Sequence, residues 1–206
     1  MDKFSYALNM FVVIGDLVGS RKLADRPAAQ DRVVAVLAQV DAWSHGLQRL
    51  EATVGDEFQG AFATLGEATR AALLVRLGLL PAVDVRIGVG CGDTTVFDPA
   101  RRPLLQDGPA WWAARAALEW MAPRRRSALR TWYVGPDAPL ANAHLLCRDA
   151  LVDRLGERGW RMLRLSLRGE SQQRIAELEG ISKSAVSQQF ARGITAVRDA
   201  QALLDG

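Results

Sequence analysis

Asp56 and Glu57 sit side by side in "TVGDEFQGAF", residues 53–62, between two β-prone arms. Forty residues earlier, by count along the chain, Asp16 closes the apolar run "MFVVIG". Two acidic loops, each at the end of an apolar strand, converge on one edge of a sheet. Carboxylates held together repel one another unless a cation sits between them. Mg²⁺ suits such a pair, because it takes oxygen ligands and commonly uses one or two carboxylates together with phosphate oxygens. The alternative is that these are surface turn residues, with Glu57 merely capping or solvating a hairpin.

The elements that must hold these groups follow from patterning. Residues 10–15 read as a central strand that ends in a loop at Asp16. Asp25 to Pro27 mark a helix start, and "AAQDRVVAVLAQVDAW" places Val33, Leu37 and Val40 on one face. "LEATV" and "FQGAFA" flank Gly55-Asp56-Glu57 as a β-hairpin. "LGEATRAALLVRLGLL" is a second helix, stopped by Pro81. "VDVRIGVGCG" (83–92) alternates as a strand, with "TTVF" as its hairpin partner. "DGPAWWAARAALEWM" is a third helix that runs until Pro123, and "LRTWYVG" one more strand. This order predicts an α+β fold: an α/β sandwich with a mainly antiparallel sheet. After Pro139 only helices are expected, so residues 1–138 read as one domain and 139–206 as a connector helix with a second, all-α domain.

Composition narrows the class. Of 206 residues, 49% are hydrophobic and 24% charged, as in a water-soluble globular protein. No apolar run reaches the roughly 18 residues of a membrane helix, and the N-terminal run holds Asp16, so it reads as a strand rather than a signal peptide. Cys91 and Cys147 have no partner at metal-binding spacing and read as buried, reduced thiols of a cytoplasmic protein. His45 and His144 form no motif. The net charge is +3; arginines gather at 101, 102, 115, 124, 125, 126 and 130, a surface able to attract phosphates, or a solvated face.

The C-terminal segment carries a second pattern. Ser171 caps a short helix, Gly180 lies in a turn, and Ser182 caps a following helix, with Ala176, Ile181 and Val186 supplying a small core. This is helix-turn-helix spacing, and it resembles the fourth region of sigma factors. The outward face of the second helix offers Lys183, Ser184, Ser187, Gln188 and Arg192, which suit base edges and DNA phosphates. The alternative is a helical oligomerisation tail.

The front of the chain resembles class III nucleotidyl cyclases. "GDLVGSR" (15–21) is similar to their first metal-binding loop, "TVGDEFQGAF" to their second metal-binding hairpin and to the hairpin of the GGDEF-type diguanylate cyclases, "VRIGVGCG" to the core strand, and "GPAWWAARAAL" to the helix whose arginine steadies phosphates. The resemblance implies a ferredoxin-like fold, Asp16 and Asp56 as metal ligands, backbone amides of Val18, Gly19 and Ser20 as a phosphate cradle with Ser20 and Arg21 alongside, and Arg115 on the polyphosphate. Two positions depart from the pattern: Trp111 stands where the ribose-orienting asparagine falls, and Ala52 where the purine-reading lysine falls. From about 12 to 195 the chain resembles the SatD family of bacterial proteins.

These readings combine into an expected function: a DNA-binding transcription regulator, dimeric, whose degenerate cyclase-like domain binds a nucleotide with Mg²⁺ without turnover. The alternative is an active metal-dependent nucleotidyl cyclase or another nucleotide-processing enzyme.

Overall fold

The computed structural model describes residues 5–20, 23–53, 55–123 and 126–205. Its elements run β1 (Ser5–Leu17), α1 (Arg26–Asp41), β2 (Gln48–Ala52), β3 (Glu57–Phe62), α2 (Leu65–Leu79), β4 (Val85–Asp98), β5 (Leu105–Asp107), α3 (Pro109–Met121), β6 (Thr131–Val134), α4 (Ala138–Asp153), α5 (Glu157–Leu167), α6 (Gln172–Glu179), α7 (Lys183–Gln189), a π-turn (Phe190–Ile194) and α8 (Thr195–Asp205). The sheet order is β2-β3-β1-β4-β5, with β6 alongside β4. Every pairing is antiparallel except β4 with β6. One sequence expectation changes here. "TTVF" is not a separate strand folding back on 83–92, but the continuation of β4. Its β-branched residues stay extended because Thr95 and Val96 pair with Asp107 and Gln106 of β5.

Strand alternation gives the sheet two apolar faces. Val12, Ile14 and Ala61 meet Ala114, Leu118 and Met121 of α3 on one. Val13, Phe58, Phe62, Val85 and Ile87 meet α1 and α2 on the other. The approach of α3 is close because Gly90 has no side chain: a Cβ there would stand 2.3 Å from the Ala110 carbonyl oxygen. On the far face α2 starts with a capping box, in which Thr64 Oγ1 accepts from the Glu67 amide at 3.1 Å and Glu67 accepts from the Thr64 amide at 3.3 Å. This helix is buried nearly all round, which fits the apolar residues on every side of its central stretch Ala71–Val75.

What covers its outer side corrects the reading of the C-terminus. The expected caps are present: Ser171 accepts from the Arg174 amide, Gly180 is left-handed at φ 64°, and Ser182 accepts from the Ala185 amide. Yet there is no separate helix-turn-helix domain. Met162, Leu163, Ile175, Val186, Phe190, Ile194 and Val197 belong to the same buried cluster as α1, α2 and the sheet. Gln201, fully buried, donates to the Gly66 carbonyl and to Thr69 Oγ1 at 3.1 Å each. Gly66 has to be small, since its Cβ would meet the Leu204 carbonyl oxygen at 2.3 Å. Lys183, Ser184, Ser187, Gln188 and Arg192 are exposed, but on helices that complete this core rather than on a module of their own. The expectation of a DNA-binding transcription regulator falls with the module it rested on.

A truncation checks the shared core. A chain ending at residue 170 bares the outer side of α2 and leaves Thr69 and Gly66 without Gln201. It is expected to be insoluble or molten, read by near-ultraviolet circular dichroism and by yield. A stable, soluble 1–170 fragment would mean that the C-terminal helices form an independent unit.

Two arginines tie the layers. Arg148 of α4 is 2% exposed and donates to Asp149, to the Thr69 carbonyl of α2 and to Thr131 Oγ1 of β6. Arg76 of α2, 3% exposed, binds Asp84 at 2.9 Å and also reaches Asp153, while Arg130 binds Asp84 at 2.6 Å. Burial pushes the Asp84 carboxyl up, but Arg76 and Arg130 together outweigh it and hold the group below its ordinary value. A depressed carboxyl stabilises the fold above its unfolded pKa of about 3.9, and that stabilisation is lost as pH falls through the folded value. Asp84→Asn is therefore expected to cost about 2 kcal/mol near neutrality, with the gap from wild type closing below about pH 4. Urea melts across pH measure it; a gap that persists in acid would sink the assignment.

The basic stretch at 101–130 is dispersed rather than pooled. Arg115 and Arg130 are paired with acids, Arg126 covers the Trp120 ring, and Arg124 and Arg125 lie outside the described residues. Cys147 is exposed and Cys91 half-buried, so neither is the buried thiol expected. No described helix is long and apolar enough to cross a membrane.

Candidate functional site

Register assembles the charged residues. Asp16 stands opposite Glu57 of β3 on one side and Arg86 of β4 on the other. Residues directly opposed across antiparallel strands share a face, here the face that α3 lies on. The result is a row of alternating charge. Arg86 donates to both Asp16 oxygens, at 2.8 and 3.2 Å. Arg115 descends from α3 and grips both Glu57 oxygens, at 2.6 and 2.8 Å. Asp56 follows Gly55 at the turn beside them.

Burial pushes the Asp16 carboxyl up, and the negative charges of Asp56 and Glu57 add to this; the opposing pull of Arg86 does not cancel it. The Glu57 hydrogen bonds raise the Arg115 guanidinium further. Asp16 is thus a half-buried carboxylate whose burial Arg86 offsets only in part.

Beside the row lies a cleft of about 310 Å³ whose lining includes Ser20, Arg26, Gln30, Gly55 and Asp56. It opens at the start of α1, where Asp25 caps the Ala28 amide at 3.0 Å, the Ala29 amide donates to the Asp25 carbonyl at 3.2 Å and Pro27 has no N–H, so what the helix start offers the cleft is Arg26, which lines it. Gly19, at φ 71°, turns the chain from β1 into this cleft. The Val18 amide donates to the Asp84 carbonyl at 2.8 Å, so of the expected cradle it is Ser20 that lines the cleft. Arg21 lies outside the described residues.

The donor set decides what cation it suits. No group of three or more His, Cys, Asp or Glu is poised around one point among the described residues. Asp16 and Asp56 are coupled electrostatically, and Asp56 borders a phosphate-sized cleft. A carboxylate has about four acceptor sites, so Asp16 retains capacity beside Arg86. The pair fits Mg²⁺ arriving with a phosphorylated ligand, not a preformed protein cage.

Arg86 is the site residue that sequence reasoning missed, and Glu57 the one it undervalued. A signal existed for Arg86: it is the one charged side chain inside "VRIGVG", on the face opposite Val85 and Ile87. Nothing local marks Glu57 as the partner of Arg115. The two departures have structural places as well. Trp111 is 7% exposed and packed against β1 with its indole Nε1 unpartnered, and Ala52 packs against the other core.

The comparisons agree with this geometry at the level of fold. The SatD family model matches residues 10–127. Two solved structures, each of a bacterial light-regulated adenylyl cyclase, align at TM-scores of 0.52 and 0.50. They are 13% and 12% identical, cover 66% and 65% of this chain, and are themselves covered over 45% and 44%. The chain spans less than half the length of either. A guanylyl cyclase aligns at a TM-score of 0.45 and 14% identity, over 58% of this chain and 73% of its own. No curated protein matches the sequence. The two light-regulated structures are adenylyl cyclases, and neither they nor the family match supports the DNA-binding expectation.

Proposed function

The chain belongs to the SatD family, and from that membership and the carboxylate row we propose that it is a metal-dependent enzyme acting on the polyphosphate of a nucleotide. The carrying observation is convergence: Asp16 of β1, Glu57 of β3 and Arg115 of α3 meet at one end of the sheet, and Asp56 of the β2–β3 turn, next to Glu57, lines a cleft at the start of α1. The cyclase-like fold supports the reading.

Asp16 and Asp56 would hold Mg²⁺, which supplies neutralisation of phosphate charge when bound. The chain's own residues do the rest. The turn at Gly19–Ser20 and Arg26 at the start of α1 receive the phosphates. Arg115 is occupied by Glu57, so a phosphate takes over the guanidinium by displacing a carboxylate, offering the same pair of acceptor oxygens with more charge behind them. A ligand able to do this must be multiply charged, which favours di- and triphosphates over monophosphates. Trp111 and Ala52 are packing positions, so ribose orientation and purine reading have no group there, and the substrate is selected by its phosphates.

The test is incubation of the full chain with ATP or GTP and Mg²⁺ or Mn²⁺, followed by product analysis. Turnover of both nucleotides within about tenfold of each other is expected, since Ala52 has no polar group and the one on Trp111 is buried, so neither supplies the rejection of about 10⁴-fold that a base-reading site gives. Absence of any product, with no calorimetric binding of either nucleotide, would overturn the reading.

A further inference from the structure

Away from the carboxylate row, α1 and α5 present three arginines to one seam. Arg32 Nη2 donates to the Gly78 carbonyl of α2 at 3.1 Å. The Arg164 guanidinium carbon lies 3.5 Å from where a Cβ on Gly78 would sit, so the two cations share one floor residue. Arg164 and Arg168 stand over the Trp43 ring with guanidinium carbons 5.1 and 3.8 Å from its centroid. Arg164 Nη2 donates to Gln39 at 2.6 Å, whereas its Nε is buried without a partner.

None of the three forms a salt bridge among the described residues. Burial first, then Arg168 and Arg32, lower the Arg164 guanidinium, with no acid opposing. The C-terminal ends of α1 and α5 and that of α2, which holds Gly78, are each worth roughly half a negative charge. Against three guanidinium groups this leaves about one and a half positive charges uncompensated. Cation–π stacking on Trp43 explains why the arginines are ordered there, but not why so much charge is gathered with no counter-ion.

We propose that the seam between α1 and α5 is a binding site for a small polyvalent oxyanion of the phosphate class, held by Arg32, Arg164 and Arg168. Guanidinium forks match phosphate oxygens in pairs, and the exposed Arg32 and Arg168 present theirs on either side of Arg164. The site stands apart from the proposed catalytic row and does not rest on it. Its ligand touches α1, whose other end borders the cleft.

The experiment is calorimetric titration of the full chain with pyrophosphate in excess chelator. One pyrophosphate per chain is expected, with affinity falling as NaCl rises. Arg32 and Arg168 are exposed, so Arg32→Gln and Arg168→Gln keep the fold, and each weakens binding by about tenfold or more. Asp56→Ala leaves binding unchanged, separating this site from the cleft. ATP titrated into Asp56→Ala tells the sources apart: binding that Arg168→Gln weakens marks a nucleotide-borne phosphate, and pyrophosphate binding alone marks an inorganic one. Silence of the wild type toward pyrophosphate overturns the proposal, as does affinity unchanged in both arginine variants, or affinity lost in Asp56→Ala.

Discussion

Asp56→Ala is expected to lower nucleotide turnover by at least about a hundredfold, because a cation held on a reacting phosphate supplies several kcal/mol of charge stabilisation and each 1.36 kcal/mol is tenfold in rate. The fold should hardly notice. Asp56 sits on a turn and no hydrogen bond of its side chain is needed by a buried group, so the change belongs with surface substitutions of about 0.5 kcal/mol or less. Glu57→Gln makes the contrast. It keeps shape but removes the charge that occupies Arg115, so the substrate's phosphate no longer competes with an ion pair. KM is expected to fall several-fold while kcat changes little, the pattern of altered ground-state binding. Arg86→Gln acts in the third direction: it frees Asp16 from the cation that is hydrogen-bonded to it, and leaves a half-buried carboxylate facing two others. The cation should then bind tighter, because it alone relieves the repulsion. Steady-state kinetics at several Mg²⁺ concentrations separate the three variants. Equal turnover in wild type and Asp56→Ala would place the metal elsewhere.

The legibility of this site was uneven for a physical reason. Alternation along "MFVVIGD" and the turn at Gly55-Asp56 are local properties, so the sequence places Asp16 and Asp56 at the ends of adjacent strands. Opposition of Asp16 to both Glu57 and Arg86 depends on register, which a pattern of period two fixes only to within even steps. Glu57 read as a hairpin cap because its partner, Arg115, is 58 residues away. The C-terminus shows the same limit more sharply. Ser171, Gly180 and Ser182 fix two helices and a turn, and the structure has all three. Caps say nothing about what the outer surface of a helix pair meets. That was decided by Gln201 reaching Gly66 across 135 residues, and it turned an expected DNA-reading module into one wall of the core.

Arg148→Ala is expected to be the most destabilising single change, at about 3–5 kcal/mol, the usual cost of breaking a buried ion pair from one side. The side chain is 2% exposed and Asp149 4%. Its loss strands the Asp149 carboxylate, leaves the Thr131 hydroxyl without this donor and removes the second hydrogen bond to the Thr69 carbonyl of α2. For a chain of this size, each kcal/mol is worth about 2–4 °C, so the melting temperature should drop by on the order of 10 °C. Arg148→Lys keeps the charge but cannot reach three acceptors with one fork, and should recover only part of the loss. Removing the charge on both sides, as Arg148→Met with Asp149→Asn, should cost less than Arg148→Ala alone, because no buried charge remains unpaired. Denaturant melts of the four chains measure this. A double variant worse than Arg148→Ala would show that the arginine serves through its volume. Arg148 holds α4 to α2 and to β6, and β6 in turn pairs with the β4 segment that follows Arg86. The same variants therefore report on the site: a loosened β6 should weaken the hold of Arg86 on Asp16 before the chain unfolds, read as a change in Mg²⁺ dependence at temperatures below the melt.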